Sequence, residues 1–225
     1  MTDGLILTLA VLGGTGKEGP GLAYRWARAG YHVLIGSRTK EKAEAAAAVL
    51  NQRLGEDVVH GLTNEEAAQQ CNIAVLTVPY SAQRATLESL RPALVGKVLV
   101  DVSVPLGAEI GRVSMPPAGS ASQEAQATLG ADVQVVAAFQ NISSVHLADD
   151  SPIACDVLVC GDSPAAREQV LQLVTAAGLI GWDAGPLQNA AVVEGLTSVL
   201  LGINKRYKIR GAGIRITGEP AARHD

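Results

Sequence analysis

The chain predicts an α/β fold: a doubly wound, mostly parallel sheet covered on both faces, with a small helical segment at its C-terminal end. Three observations predict it. Short β-branched apolar runs alternate with Ala-rich helical stretches along most of the 225 residues. The connections are short, which for parallel strands implies right-handed crossovers. Hydrophobic residues make up 48% and charged residues 18% of the chain, enough to bury two sheet faces and too little charge for disorder.

The elements follow in order. Residues 5–12 read as a strand, and 17–29 as a helix stopped by Gly30. A second strand spans 32–35. The helix at 40–54 keeps Ala43, Ala46, Ala47 and Leu50 on one face. A weak strand at 57–59 precedes a short helix capped by Asn64, with Glu65 and Glu66 in its first turn. Strands at 73–78 and 98–102 flank a helix at 81–90, and Pro79 ends the first of them.

Residues 107–120 are rich in Gly, Ser and Pro and read as a loop. A helix at 122–129, strands at 133–139 and 155–160, a helix at 164–177 led by Pro164, and a strand at 179–182 come next. The helix at 187–203 is apolar nearly all round and must be covered on more than one side. Two units are expected: residues 1–186 as the sheet domain, and 187–225 as a helix and basic tail packed on it.

Composition excludes several function classes. The net charge of −4 argues against nucleic acid as a partner. Cys71, Cys155 and Cys160 form no Cys-x-x-Cys pair and read as small buried hydrophobes of a reducing cytoplasm. The 5–12 run is too short to span a membrane and has no basic region before it, so a cytoplasmic protein is expected. No metal-ligand spacing exists.

The chemistry begins at the first turn. Gly14, Gly16 and Gly19 form Gly-x-Gly-x-x-Gly between the first strand and the first helix. The first glycine should allow the turn, the second a close approach of backbone to a pyrophosphate, and the third helix packing on the strand. The pyrophosphate would meet the free N–H groups of the helix start. A Rossmann-like dinucleotide site is the reading. The second strand then ends in Ser37 and Arg38, with Lys42 one turn on, where an NAD site has an acid. Ser37 can donate and Arg38 can grip a ribose 2′-phosphate, so NADP (NADPH) is expected.

A proton relay is harder to find. His32, His60 and His224 are badly placed, and His146 reads as a surface histidine. The strand ends facing the nicotinamide are Val78-Pro79 and Ser103-Val104-Pro105. They suit direct hydride transfer between two flat rings, with catalysis by proximity and no catalytic residue.

At this point several motifs act together. Residues 11–16, 36–38, 41–44, 64–68, 74–79 and 183–187 resemble the NADPH-dependent reductases of the deazaflavin coenzyme F420, over about residues 7 to 216. The resemblance implies that Thr15, Gly16, Lys17 and Glu18 hold the pyrophosphate and that Ser37, Arg38 and Lys42 read the 2′-phosphate. It implies that Val78 and Val104 line the ribose and nicotinamide, that Ser144 lies near the nicotinamide, and that Ala212 lies in the segment near the deazaflavin. It further implies a homodimer and reversible hydride passage between NADPH and coenzyme F420 as co-substrate. Gln140 and Ser143 depart from the His and Pro of some relatives. The helix at 187–203 is the natural dimer contact. Lys205, Arg206, Lys208, Arg210 and Arg215 form a basic stretch that would attract an anionic coenzyme tail. An NADP-dependent reductase of a small imine or carbonyl, or a non-catalytic NADP sensor, stays open beside this reading.

Overall fold

The structure, a computed structural model, describes residues 7–218. The expected first two residues of the opening strand, 5 and 6, and His224 lie outside the described residues.

Eight strands form one sheet in the order β3-β2-β1-β4-β5-β6-β7-β8. They are β1 (Thr8–Leu12), β2 (His32–Ser37), β3 (Val59–Thr63), β4 (Ile73–Leu76), β5 (Val98–Asp101), β6 (Gln134–Ala137), β7 (Asp156–Gly161) and β8 (Ile180–Asp183). All neighbouring pairs run parallel except β6–β7. The helices are α1 (Gly19–Arg28), α2 (Lys40–Leu54), α3 (Asn64–Gln70), α4 (Tyr80–Leu94), α5 (Ala121–Leu129), α6 (Ser144–Leu147), α7 (Pro164–Ala176) and α8 (Ala190–Tyr207).

The strands alternate across two cores, as a period of two dictates. Leu9 and Val11 of β1 join Leu22 and Trp26 of α1, Ala47 of α2 and Leu173 of α7 on one face. Ala10 and Leu12 join Ala67 of α3, Leu87 of α4, Ala125 of α5 and Val193 of α8 on the other. With few aromatics, Ala fills positions where helices lie close to the sheet. A β-carbon on Gly61 of β3 would run into the backbone of α2 at Ala43 and Glu44.

Gly61 also explains a shift. The third strand occupies 59–63 rather than the expected 57–59. Asn51 of α2 takes the approach segment: its Oδ1 accepts from the N–H groups of Val58 at 3.2 Å and Val59 at 2.9 Å. A glycine inside the strand weakens its sequence signature.

A second correction concerns α3. Its N-cap is Thr63, not Asn64. The Thr63 hydroxyl accepts from Glu66 N at 3.2 Å, and the Glu66 carboxylate accepts from Thr63 N at 2.9 Å. Asn64 is thereby released for another task at the site. The short α6 has no counterpart among the expected elements. Arg25 of α1 holds it, donating to the carbonyls of His146 and Leu147, each at 3.2 Å.

Two contacts bring the C-terminal segment onto the sheet. Helix α8 packs beside α5, where the Glu194 carboxylate accepts from Ala121 N at 2.7 Å and Ser122 N at 3.0 Å. Beyond α8 the chain runs back along β7, and Asp156 N donates to Ile214 O at 2.8 Å.

Candidate functional site: a two-part cleft at the carboxyl ends of the strands

The cleft opens where the strand order reverses, between β1 and β4, the usual ligand crevice of such sheets. One half, about 550 Å³, is lined by Thr15, Gly16, Ser37, Arg38 and Lys42 among others. The other half, about 560 Å³, is lined by Lys17, Glu18, Val104, Ser144 and Ala212 among others. Gly16, Thr77, Val78 and Pro79 border both. Gly14 is buried beneath the loop. The fold therefore brings the expected cofactor residues to one continuous surface.

The glycines divide their duties differently from the expectation. The left-handed turn residue is Gly13, with φ of 71°, and a β-carbon there would strike the Val78 side chain. Gly14 is needed for packing, since a β-carbon would lie 2.7 Å from Val11 O. Gly19 serves the close helix approach, with Gly14 Cα only 2.6 Å from its virtual β-carbon. Gly16 is different. Its nearest protein atom would be 3.6 Å away. No protein contact demands glycine there, which fits a ligand backbone passing close to the loop.

Asn64 braces this loop. Its Oδ1 accepts from Gly13 N at 3.0 Å, and Gly14 N donates to Gly36 O at 2.9 Å. The phosphate loop is thus tied to the end of β2, where Ser37 and Arg38 begin the cationic half. Arg38 and Lys42 are exposed and belong to no ion pair among the described residues. Two unpaired cations at the start of α2 oppose its dipole. They suit a bound dianion such as a ribose phosphate.

The apolar half is built from Val78, Val102, Val104, Leu106, Phe139, Ile142, Leu200 and Leu201. Phe139 holds a left-handed backbone with φ of 72°, a costly state for an aromatic residue. Trp26 anchors its ring edge-on, with centroids 5.7 Å apart. Gln140 and Asn141 follow the turn and border the cleft, with their side chains buried. Gln140 Nε2 donates to Asp101 O at 2.8 Å, and Asn141 Nδ2 donates to Val193 O at 2.9 Å. Their other atoms, Gln140 Oε1 and Asn141 Oδ1, are buried without a partner among the described residues. Both oxygens are shut off from solvent, so they add an unsatisfied polar cost to the strained turn. No motif in the sequence marked them, because the signal is a backbone conformation.

Glu18 also lines this half. Burial pushes its carboxyl up to about 7, against weaker opposing effects of the Ser144 hydroxyl and the Lys17 charge. The sequence placed Glu18 with the pyrophosphate loop alone. Its second setting, beside Ser144 in the apolar half, depends on α6. His146, one turn along α6, is tied to Gly211 O at 2.8 Å. Among the described residues no cluster of His, Cys, Asp and Glu could hold a metal ion, and no helix is long and apolar enough to cross a membrane.

Comparison with known proteins agrees with this geometry. A family described as "NADP oxidoreductase coenzyme F420-dependent" matches residues 8–105. The F420-dependent NADP reductase of Methanocaldococcus jannaschii is 40% identical over 221 residues, spanning 94% of this chain and 98% of that protein. The protein of the same name from Methanothermobacter marburgensis is 42% identical over 223 residues, spanning 95% of this chain and all of its own. A crystal structure from Arthrobacter sp. FB24, described as a candidate F420-dependent NADP reductase, superposes with a TM-score of 0.78 at 26% identity, covering 94% of this chain and 100% of that one. Cleft, glycine loop and full-length similarity thus converge, and the chain belongs to the family of F420-dependent NADP reductases.

Proposed function

We propose that this chain passes a hydride directly and reversibly between NADPH and the deazaflavin coenzyme F420, by aligning two flat rings in the apolar half of the cleft. Family membership makes it an NADP-dependent oxidoreductase of this coenzyme pair. The observation that carries the finer reading is the continuity of two chemically different halves across Gly16, Thr77, Val78 and Pro79. When bound, the nicotinamide and the deazaflavin supply the hydride donor and acceptor.

The residues have separable tasks. Ser37, Arg38 and Lys42 would grip the 2′-phosphate, and the loop from Thr15 to Glu18 would hold the pyrophosphate, with the Gly16 N–H already bonded to Gly13 O. Val78, Pro79 and Val104 would press one ring, and Ala212 would border the second. Excluding water and fixing the ring separation are the catalytic contribution. The test is turnover: NADPH mixed with protein and oxidised coenzyme F420 should bleach the coenzyme's visible absorbance. NADPH binding without bleaching would defeat the reading.

One observation favours a second reading. Glu18 is a protic group in the cleft, as an NADP-dependent imine or carbonyl reductase would need. NADPH oxidation by a small cyclic imine, with none by coenzyme F420, would select it.

A dimer through α8 belongs to the same proposal. The inner face of α8 buries Ala190, Val193 and Leu200, whereas Val192 and Val199 are 73% and 41% exposed. Ile110 and Val113 add to the exposed apolar surface of the loop that meets α8 at Gly195 and Gly202. A second copy would cover this face.

A further inference from the structure

Glu18 stands at the start of α1 and lines the apolar half of the cleft. It is the N-cap of α1, with φ of −82° and ψ of −40°, yet its side chain caps nothing. It lies between Gly16 and Gly19, in the turn assigned above to two phosphates, and it faces the apolar half of the cleft. Lys17 and Ser144 act on it, and the other groups lining the same half of the cleft offer little compensation. On its own loop stands Lys17. From β4 and α4 come Val78, Pro79 and Tyr80, and from β5 and its extension Val102, Ser103 and Val104. The Tyr80 hydroxyl donates to Glu124 at 2.7 Å, and burial together with Glu124 pushes it up to about 12, so it stays neutral. From α6 comes Ser144, and from α8 Thr197, Leu200, Leu201 and Asn204, none of them charged.

We propose that Glu18 is a positioning residue that carries a proton in the NADP(H) complex, so that binding the cofactor takes up a proton from solvent. The inference rests on the reading that the glycine loop holds the pyrophosphate. An ionised Glu18, half-buried and with Lys17 as its one nearby cation, would set a third negative group beside two phosphates. The neutral carboxyl removes that repulsion and offers one O–H donor to the bound ring system. Burial already pushes the free carboxyl up to about 7, so uptake falls around neutral pH. The proton moves from water to one Glu18 oxygen, and no covalent bond changes. The ionised free form dominates as pH rises, and cofactor affinity falls.

The test is calorimetric titration of NADPH into wild type and Glu18→Gln, in buffers of different ionisation enthalpy, from about pH 6 to about pH 8.5. The 2′-phosphate also titrates, near about pH 6, but equally in both proteins, so their difference is diagnostic. Wild type should take up more protons than Glu18→Gln, and its Kd should rise roughly 30-fold more across that range. Ser144→Ala should move the midpoint upward, because the hydroxyl favours the ionised form. Equal proton uptake in wild type and Glu18→Gln would overturn the proposal. Should Glu18→Gln fail to fold, NADH on wild type serves, since it lacks the 2′-phosphate. Absence of uptake at about pH 8 would then overturn it. Failure of wild type to bind NADPH at all would overturn the loop reading itself, and the inference with it.

Discussion

Asn64 Oδ1 accepts the backbone N–H of Gly13 at 3.0 Å, across 51 residues of sequence. This bond joins the start of α3 to the phosphate loop and holds the turn open toward the cleft. Asn64→Ala should leave that N–H unpaired, at about 1–3 kcal/mol. NADPH binding should weaken roughly tenfold or more with a smaller change in global stability. Fluorescence titration paired with thermal unfolding checks both.

Much of this site was legible in the sequence, and what escaped has physical causes. Gly14, Gly16, Gly19, Ser37 and Arg38 declare themselves by spacing, a glycine turn between a strand and a helix followed by a cationic end to the next strand. Asn64 was misread because Asn suits a helix N-cap, and Thr63 beside it is just as good. The backbone turn at Phe139, and the two orphaned acceptors after it, left no pattern. Helix α6 is four residues long and owes its existence to Arg25, far away in sequence. Strands β1 and β2 are legible as apolar runs because both of their faces are buried, although β2 runs on two residues past its expected end to Ser37; β3 carries His60 and Gly61 and blurs.

The two loop glycines should separate fold from function. A methyl group on Gly16 meets only ordinary van der Waals contacts, so in Gly16→Ala stability should hold while NADPH affinity falls at least roughly tenfold as the methyl group crowds the pyrophosphate. Gly19→Ala drives a methyl group into Gly14 and should cost about 1–3 kcal/mol of stability. Urea unfolding and NADPH titration of both variants provide the comparison. Equal behaviour of the pair would contradict the division.

Arg38→Glu should weaken NADPH by roughly 100-fold, the loss of a charge-assisted contact plus new repulsion, and leave NADH nearly unchanged. Equal losses for both cofactors would show that Arg38 does not read the phosphate. Steady-state kinetics with each nucleotide resolves this.

Buried acids should make stability pH-dependent. Burial pushes Asp101 up to about 6 and Glu194 up to about 7. Both folded values lie above the unfolded ones, so the folded state binds more protons in between. Stability is highest below the unfolded values and falls as pH rises through 6 to 7, by about 1–3 kcal/mol per group. Urea midpoints at about pH 5 and about pH 8 should show the decline. Glu194→Gln should flatten it, whatever its absolute stability.

Charge on the outer face of α8 tests the assembly. Wild type should sediment as a dimer, and a Val192→Asp, Val199→Asp double variant as a monomer. A wild-type monomer at micromolar concentration would remove the proposed interface.

The central claim is that the hydride passes directly between two rings. NADPH deuterated at its hydride-donating carbon should be mixed with the protein and oxidised coenzyme F420 in ordinary water, and the reduced coenzyme examined by mass spectrometry. Direct transfer predicts one deuterium retained per coenzyme reduced. Reduced coenzyme carrying only solvent hydrogen would contradict it.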